Sequence, residues 1–419
     1  MLEEILSHKN MTLAYKRVVT NKGCSGVDGV GVTQLECLLH TNWITIKASI
    51  LEGSYQPEPV KQVDIPKPGG GKRHLGIPTV MDRLIQQAIS QELSKHYDRG
   101  FSRNSYGFRP GKSCHQALRQ AQQYLNEGYS YVVDLDLEKF FDKVNHDYLM
   151  HLLSQKIQDK MLLKLIRKYL QSGVMHGGVV SPKREGTPQG GPLSPLLSNI
   201  LLDKLDKELE KRGHKFVRYA DDCSLYLKSQ RAAERVLQSI TRFIEEQLKL
   251  KVNQTKSGIR RPIEMELLGY SFYQDEEGYQ LRIASKSYER FKRKVKHLTK
   301  KTQPMSMKER LKGLKALTRG WVNYFKLAKA RVKLQLLDGW IRRRLRYCIW
   351  QQWSRIRARY RSLVRLGASH YNAIRWAKTR NGGWRIANSP ILKRTFTNAR
   401  LEKAGYISLT ELYSKKLTA

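Results

Sequence analysis

Tyr219-Ala220-Asp221-Asp222 places two adjacent carboxylates where an alternating strand must turn. Phe216 and Val217 before them, and Leu225 and Tyr226 after, are apolar enough to half-bury a hairpin over 215–219 and 223–228. Two carboxylates at such a tip repel one another and are poorly hydrated, and a divalent cation relieves both costs. A second strand over 131–137 carries Asp134 and Asp136 at alternate positions, and therefore on one face. Three aspartates from two neighbouring strands can hold a pair of Mg²⁺ ions roughly 3.5–4 Å apart, one activating an attacking hydroxyl, the other holding phosphates and a leaving oxygen. Carboxylate ligands with retained water suit Mg²⁺ better than zinc.

The elements that must position these residues can be read from periodicity. Apolar faces begin at Leu2, Ile5 and Leu6 and continue at Leu13, Val18 and Val19. A helix is expected over 33–52, and a hairpin over 60–80 around the Gly-rich turn 66–71. Helices follow over 81–97, 112–127, 145–155 and 159–171. The Gly/Pro-rich segment 185–192 opens a helix over 194–211, and another runs over 230–248. Short strands fill 250–285, and 286–366 reads as almost wholly helical, interrupted at Pro304 and Gly320.

Charge identifies the partner. The 419 residues hold 77 Lys+Arg against 37 Asp+Glu, a net charge of +40. Residues 281–419 contribute 37 basic and 5 acidic residues, so most of the excess lies in the last third, and 351–400 has 12 Lys+Arg with no acid. A polyphosphate backbone is the usual partner of such a stretch, and interspersed Trp, Tyr and Gly favour nucleic acid over a membrane surface. The 40% hydrophobic fraction fits a globular chain, and no apolar run is long enough to span a membrane. The first residues do not read as a secretory signal. Five cysteines without a Cys-x-x-Cys pair suggest free thiols and a cytoplasmic location rather than disulfides or a zinc ribbon.

Together these segments resemble a reverse transcriptase. Beyond Tyr-Ala-Asp-Asp and the upstream Asp-x-x-x-Phe-Phe, segments 21–29, 65–78, Tyr106-Gly107-Phe108-Arg109-Pro110-Gly111, 136–142, 186–195 and Leu267-Leu268-Gly269-Tyr270 fall in the order seen in group II intron-encoded reverse transcriptases. Gly320-Trp321-Val322-Asn323-Tyr324-Phe325 resembles the maturase motif of that family. The resemblance spans essentially the whole chain. It implies an α/β (α+β) right-hand polymerase: an N-terminal extension (1–60), fingers and a palm with an antiparallel sheet (61–285), a helical thumb and maturase domain (286–365) and a small basic DNA-binding region (366–419).

The resemblance also assigns roles. Asp136, Asp221 and Asp222 become the catalytic, metal-binding trio, with Asp136 preferred over Asp134 because an aromatic, Phe141, follows five residues later. Phe141 would exclude a 2′-hydroxyl, and one of Phe140 and Phe141 would be plain core. Lys67, Arg73, Gln189 and Lys256 would contact the nucleotide, Lys256 near the departing pyrophosphate. Arg109, Gly190, Gly191, Gly269 and Tyr270 would contact template or primer. Leu337, Ile341 and Leu345 would pack on protein while Arg342, Arg343, Arg344 and Arg346 face phosphates. The implied ligands are RNA template and group II intron RNA, a DNA target or primer, deoxynucleoside triphosphates and two Mg²⁺. The implied activity is RNA-directed DNA synthesis with a maturase role. Rival readings are a free-standing bacterial reverse transcriptase (retron, defence or repair), a catalytically silent RNA-binding maturase, and an RNA-dependent RNA polymerase. Residues 380–419 lack Cys and His, so the endonuclease of longer relatives is expected to be absent.

Overall fold

The computed structural model describes residues 1–66, 70–181, 185–300 and 302–417. They form two compact units, Met1–Pro262 and Ile263–Ala419. No described helix is long and apolar enough to cross a membrane.

Among its described residues the first unit holds eight strands: β1 (Val60–Pro66), β2 (Lys72–Ile77), β3 (Tyr131–Leu135), β4 (Val174–His176), β5 (Val179–Ser181), β6 (Lys215–Tyr219), β7 (Asp222–Leu227) and β8 (Gly258–Arg260). One sheet has the order β6-β7-β3-β8 and is antiparallel throughout, as expected of a palm. Strand alternation gives it two different faces. Val133, Leu135, Cys223 and Leu225 enter the main core. Helix Gln230–Glu246 joins that core through Ala233, Val236, Ile240 and Ile244, spaced three and four apart. The other face begins with Val132 and Tyr226, whose ring lies 5.3 Å from that of Tyr124 in helix Cys114–Asn126. It ends in acidic residues.

The second sheet has the order β2-β1-β4-β5. Its β1–β2 hairpin agrees with the sequence reading. Strands β4 and β5 do not appear in that reading. They are three residues each, turned by Gly177 and Gly178, both with positive φ as a two-residue hairpin requires. The N-terminal helices share the main core: Leu2, Ile5, Leu6, Met11, Ala14 and Val18 are buried. Leu13 departs from expectation. It is 49% exposed, because the face that packs in helix His8–Asn21 is set by Met11, Ala14 and Val18.

The second unit opens with a sheet in the order β11-β10-β9, made of β9 (Glu266–Leu267), β10 (Tyr270–Asp275) and β11 (Gly278–Ile283). Helices Ser285–Leu298, Met307–Tyr324, Arg331–Gln352 and Ile356–Arg365 follow, then shorter helices to Leu409–Leu417. Gly320 does not interrupt its helix. A lone glycine costs only about 1 kcal/mol there. The break comes at Phe325, where the Tyr270 hydroxyl donates to the carbonyl of Tyr324 and so satisfies the helix end. Leu337, Ile341 and Leu345 are buried as a stripe.

On the same helix Asp338 is 1% exposed. It accepts from the hydroxyls of Tyr406, Ser408 and Thr410 and from the backbone N–H groups of Leu409 and Thr410. The carboxylate therefore caps helix Leu409–Leu417 from another element. Replacing Asp338 by Ala strands these buried donors and should cost about 3 kcal/mol. Hydrogen exchange checks it: protection at Leu409 and Thr410 should collapse while that of β3 is unchanged.

Candidate active site

The turn between β6 and β7 is two residues long, because Tyr219 pairs with Asp222. Ala220 sits there with φ +59°, a conformation that disfavours any side chain. Its surroundings hold it in place. The Ala220 carbonyl accepts from Arg218 Nη1 at 2.8 Å. Arg218 is completely buried and bonds both oxygens of Asp206, at 2.7 and 2.5 Å, with Asn199 Oδ1 at 3.0 Å. Both partners lie on helix Ser194–Lys211. Asn199 also donates to the Gly107 carbonyl at 2.9 Å, and the 104–106 segment exchanges backbone bonds with Arg218. Gly107 must be glycine: a Cβ there would lie 2.3 Å from the backbone nitrogen of Ala220.

Strand register then brings the acids together. Leu135 lies opposite Cys223 and Asp134 opposite Ser224. One further step of the same register sets Asp136 opposite Asp222, on the face that also carries Asp134, with Asp221 next along the turn. The backbone of Asp136 is fixed by Ser257, whose hydroxyl accepts from its N–H at 2.9 Å and donates to its carbonyl at 3.2 Å. Lys256 Nζ lies 3.2 Å from Asp136 Oδ2, and Arg260 Nε lies 3.6 Å from Asp134.

Asp222 is exposed along one edge yet crowded by protein. That desolvation, then the charges of Asp221, Asp134 and Asp136, pushes its carboxyl up to about 6. Solvent at the open edge screens part of the repulsion. Asp134 is also raised, first by desolvation, while Arg260 opposes. Acids that raise one another, open to solvent on one side, fit a divalent cation. Among the described residues no group of three His, Cys, Asp or Glu side chains stands gathered closely enough to hold a metal ion. An open set of this kind suits a hard cation that retains water and takes further oxygens from phosphates.

The nucleotide-side candidates converge in part. Arg73 Nε donates to Gln189 Oε1 at 2.9 Å, and the Gly76 N–H donates to the Gln189 carbonyl at 2.7 Å. Gly190 and Gly191 allow this contact: a Cβ would lie 2.5 Å from the Gly76 carbonyl oxygen at the first and 2.4 Å from Gln86 Oε1 at the second. The preceding residues stitch the same segment to Phe141, since Thr187 N–H donates to the Phe141 carbonyl at 2.6 Å. Phe140 is the core ring, 2% exposed, while Phe141 is half-buried beside it at 5.2 Å. Lys67 lies outside the described residues.

Two candidates act differently from expectation. Arg109 is 6% exposed at its side chain, pairs with Asp98 at 2.7 Å and donates to the carbonyls of Asp98, Ser102 and Ser105. Its guanidinium organises the loop behind Gly107 and has no face left for a template. Tyr270 is fully buried against Tyr324 and Phe325, so its side chain does not reach a primer. What the Leu268–Gly269 turn offers is backbone, with positive φ at both residues and the Leu268 carbonyl held by the Tyr324 hydroxyl at 2.8 Å. Arg218, Asp206, Asn199 and Ser257 went unread in the sequence. An arginine two residues before an Asp-Asp turn, inside an apolar strand, was the available signal for the first.

Residues 65–272 match the reverse transcriptase (RNA-dependent DNA polymerase) family, and residues 288–367 match the group II intron maturase-specific domain. Protein YkfC of Escherichia coli is 32% identical over 286 residues, which is 59% of this chain and 75% of that protein. The group II intron-encoded protein LtrA of Lactococcus lactis is 37% identical over 207 residues, 49% of this chain and 34% of LtrA. The putative COX1/OXI3 intron 2 protein of Saccharomyces cerevisiae is 28% identical over 327 residues, 62% of this chain and 37% of that protein. The chain thus spans three quarters of YkfC and about a third of the two intron proteins.

Removing Arg218 alone leaves Asp206 buried and unpaired, so Arg218→Met should destabilise by about 3–5 kcal/mol. Pairing it with Asp206→Leu should restore most of the melting temperature. Turnover should stay at least tenfold down, because the Ala220 carbonyl still lacks its donor. Full recovery of activity along with stability would remove Arg218 from the positioning of the turn.

Proposed function

Because this chain belongs to the group II intron-encoded family of RNA-directed DNA polymerases and maturases, we propose that Asp136, Asp221 and Asp222 carry DNA synthesis on an RNA template. The observation that supports this most is that the β3–β7 register, ending with Leu135 opposite Cys223, leads Asp136 toward Asp222 beside the strained Ala220 turn, close enough for its charge to act on Asp222. The family is divalent-metal dependent, and its members act on nucleic acid, intron RNA included. For this chain we take the metal to be Mg²⁺, two ions held by the three aspartates, which when bound supply positive charge for an attacking 3′-hydroxyl and a leaving pyrophosphate.

The chain's own residues do the rest. Arg73 and Gln189, already joined, form one wall for a deoxynucleoside triphosphate, the guanidinium facing phosphate and the amide fixing its angle. Gly190 keeps that wall thin, so backbone can approach the new base pair. Phe141 presents its open ring edge to the sugar and leaves no room for a 2′-hydroxyl. Lys256, 65% exposed at its side chain and paired with Asp136, is free to swing toward a departing phosphate. Lys67 would add a second cation for the nucleotide's phosphates. The Leu268–Gly269 turn would support the primer end through backbone. In the second unit, the basic helices would bind intron RNA to assist splicing and a DNA target to permit retrohoming. Five free cysteines are consistent with a cytoplasmic setting.

Primer extension on a defined RNA template with Mg²⁺ and deoxynucleotides tests the reading. Asp222→Ala should lower the rate by at least roughly 10³-fold, about 4 kcal/mol of barrier. Equal extension by both proteins, or none by either, removes the polymerase assignment. Phe141→Ala should raise ribonucleotide incorporation about tenfold or more relative to deoxynucleotide, read by competing the two on one template.

A further inference from the structure

A cavity of about 550 Å³ lies in the second unit, and none of the candidate catalytic residues lines it. Helix Arg331–Gln352 forms one wall with Trp340, Arg342, Arg343 and Arg346, and the segment 388–398 forms the other with Lys393 and Asn398. No acidic side chain lines it among the described residues. The second wall is fixed to the first by a small apolar core of Trp350, Ile386 and Leu392.

The four cations differ in what holds them. Arg346 exposes 6% of its surface. Its Nε donates to the Phe396 carbonyl at 2.8 Å and one terminal nitrogen donates to Asn398 Oδ1 at 3.0 Å, while the other has no protein partner among the described residues. Arg343 lies over the Trp384 ring at 4.0 Å and donates to the Trp384 carbonyl. Arg342 and Lys393 have no carboxylate partner among the described residues, and Lys393 is exposed. The nearest acid on the same helix, Asp338, is saturated by the donors at 406–410. Burial and then the charge of Arg342 both lower the Arg346 guanidinium. Two like charges are therefore held close without an acid between them, which is costly unless an anion completes the group.

From this cavity we infer a built phosphate site: it takes a backbone phosphodiester of a nucleic-acid strand through residues of the second unit alone. The planar fork of Arg342 and the one uncommitted terminal nitrogen of Arg346 suit phosphate oxygens, and the volume falls in the range of roughly 300–1,000 Å³ typical of small-ligand pockets. Trp340 supplies the apolar side, with Lys292 and Arg344 within 6 Å of its ring adding further positive charge. The inference deepens the nucleic-acid reading above and rests on it.

The test compares the full chain with Arg342→Gln/Lys393→Gln, two side chains with no structural hydrogen bond among the described residues. A charge-matched control is Arg357→Gln/Arg361→Gln, exposed on helix Ile356–Arg365. All three should melt alike, and Lys393→Gln alone serves if the pair does not. The probe is a labelled RNA duplex, titrated from about 50 to 300 mM KCl. The cavity variant should bind about tenfold more weakly near 0.1 M salt, and the slope of log affinity against log salt should fall by about one to two. An equal fall in the control means that diffuse charge does the binding and overturns the site, as does no fall in the cavity variant. Inorganic phosphate is the second arm: if it raises the melting temperature of the wild type but not of the variant, while RNA affinity is unaltered, the pocket serves free phosphate and the inference fails. Wild-type extension and RNA binding are measured alongside. Their loss would count against the polymerase reading itself, whereas their presence with an unaltered variant counts only against the cavity.

Discussion

Four carboxylates share one end of a sheet face, and their mutual repulsion is the constraint that the first unit is built to withstand. Left to itself a two-residue turn of Ala220 and Asp221, with Asp222 opening the next strand near Asp136, would open, since separating the strands lowers the electrostatic energy. Burial first, and then the charges of Asp221, Asp134 and Asp136, raise the Asp222 carboxyl. What resists the opening lies behind the turn, on the buried side. Arg218 binds the Ala220 carbonyl, and Asp206 and Asn199 bind Arg218. A buried ion pair is a poor source of net stability against an apolar replacement, but its directional bonds specify one geometry. Here that geometry holds a non-glycine residue at φ +59°, which no apolar packing would enforce.

The same logic explains why several glycines surround the site. Gly107, Gly186 and Gly190 each sit where a Cβ would strike backbone within 2.3–2.7 Å. They let the Gly107 loop approach the catalytic hairpin, and the 186–190 segment approach both the Phe141 segment and β2, more closely than side chains allow. Arg109 then fixes the loop carrying Gly107 by donating to three of its carbonyls. Motifs that look in sequence like ligand-binding loops are thus partly packing devices. Their side chains face the protein, and what they expose is the hairpin they support.

Much of this was legible in the chain. The hairpin at Asp221–Asp222, the strand with Asp134 and Asp136, and the helix from Ser194 follow from period-two and period-3.6 patterns with a Gly/Pro signal ahead of the helix. Contact across long separations was not. Asp206 and Arg218 are twelve positions apart on different elements, and nothing local tells a buried arginine from an exposed one. Asp338 and its five donors are about seventy positions apart, so a carboxylate in a basic helix reads as solvated surface. Tyr270 was misread for a related reason. The Leu-Gly turn marks a close approach of backbone, and the neighbouring ring was credited with a contact that its burial forbids.

The second unit handles the opposite charge by a different rule. With so few acids in 281–419, its arginines cannot be paired by carboxylates, and they turn to helix ends instead. Arg310 donates to the Leu298 carbonyl, Arg346 to Phe396, Arg359 to Trp353, and Arg400 to Leu366 and Thr395, each at or next to the last turn of a helix. Those carbonyls lack partners within their helices and carry the negative end of the helix dipole. A guanidinium satisfies them geometrically, yet a partial charge neutralises only part of a full one. The fold is therefore tied together by cations that stay largely uncompensated. Such an arrangement is stable as protein and still attractive to polyanions, because a hydrogen bond to a carbonyl leaves the positive charge of a structural arginine in place. Helix Arg331–Gln352 shows the imbalance most plainly, with six Lys and Arg residues against Asp338 as its single acid, and that acid is already taken by the donors at 406–410.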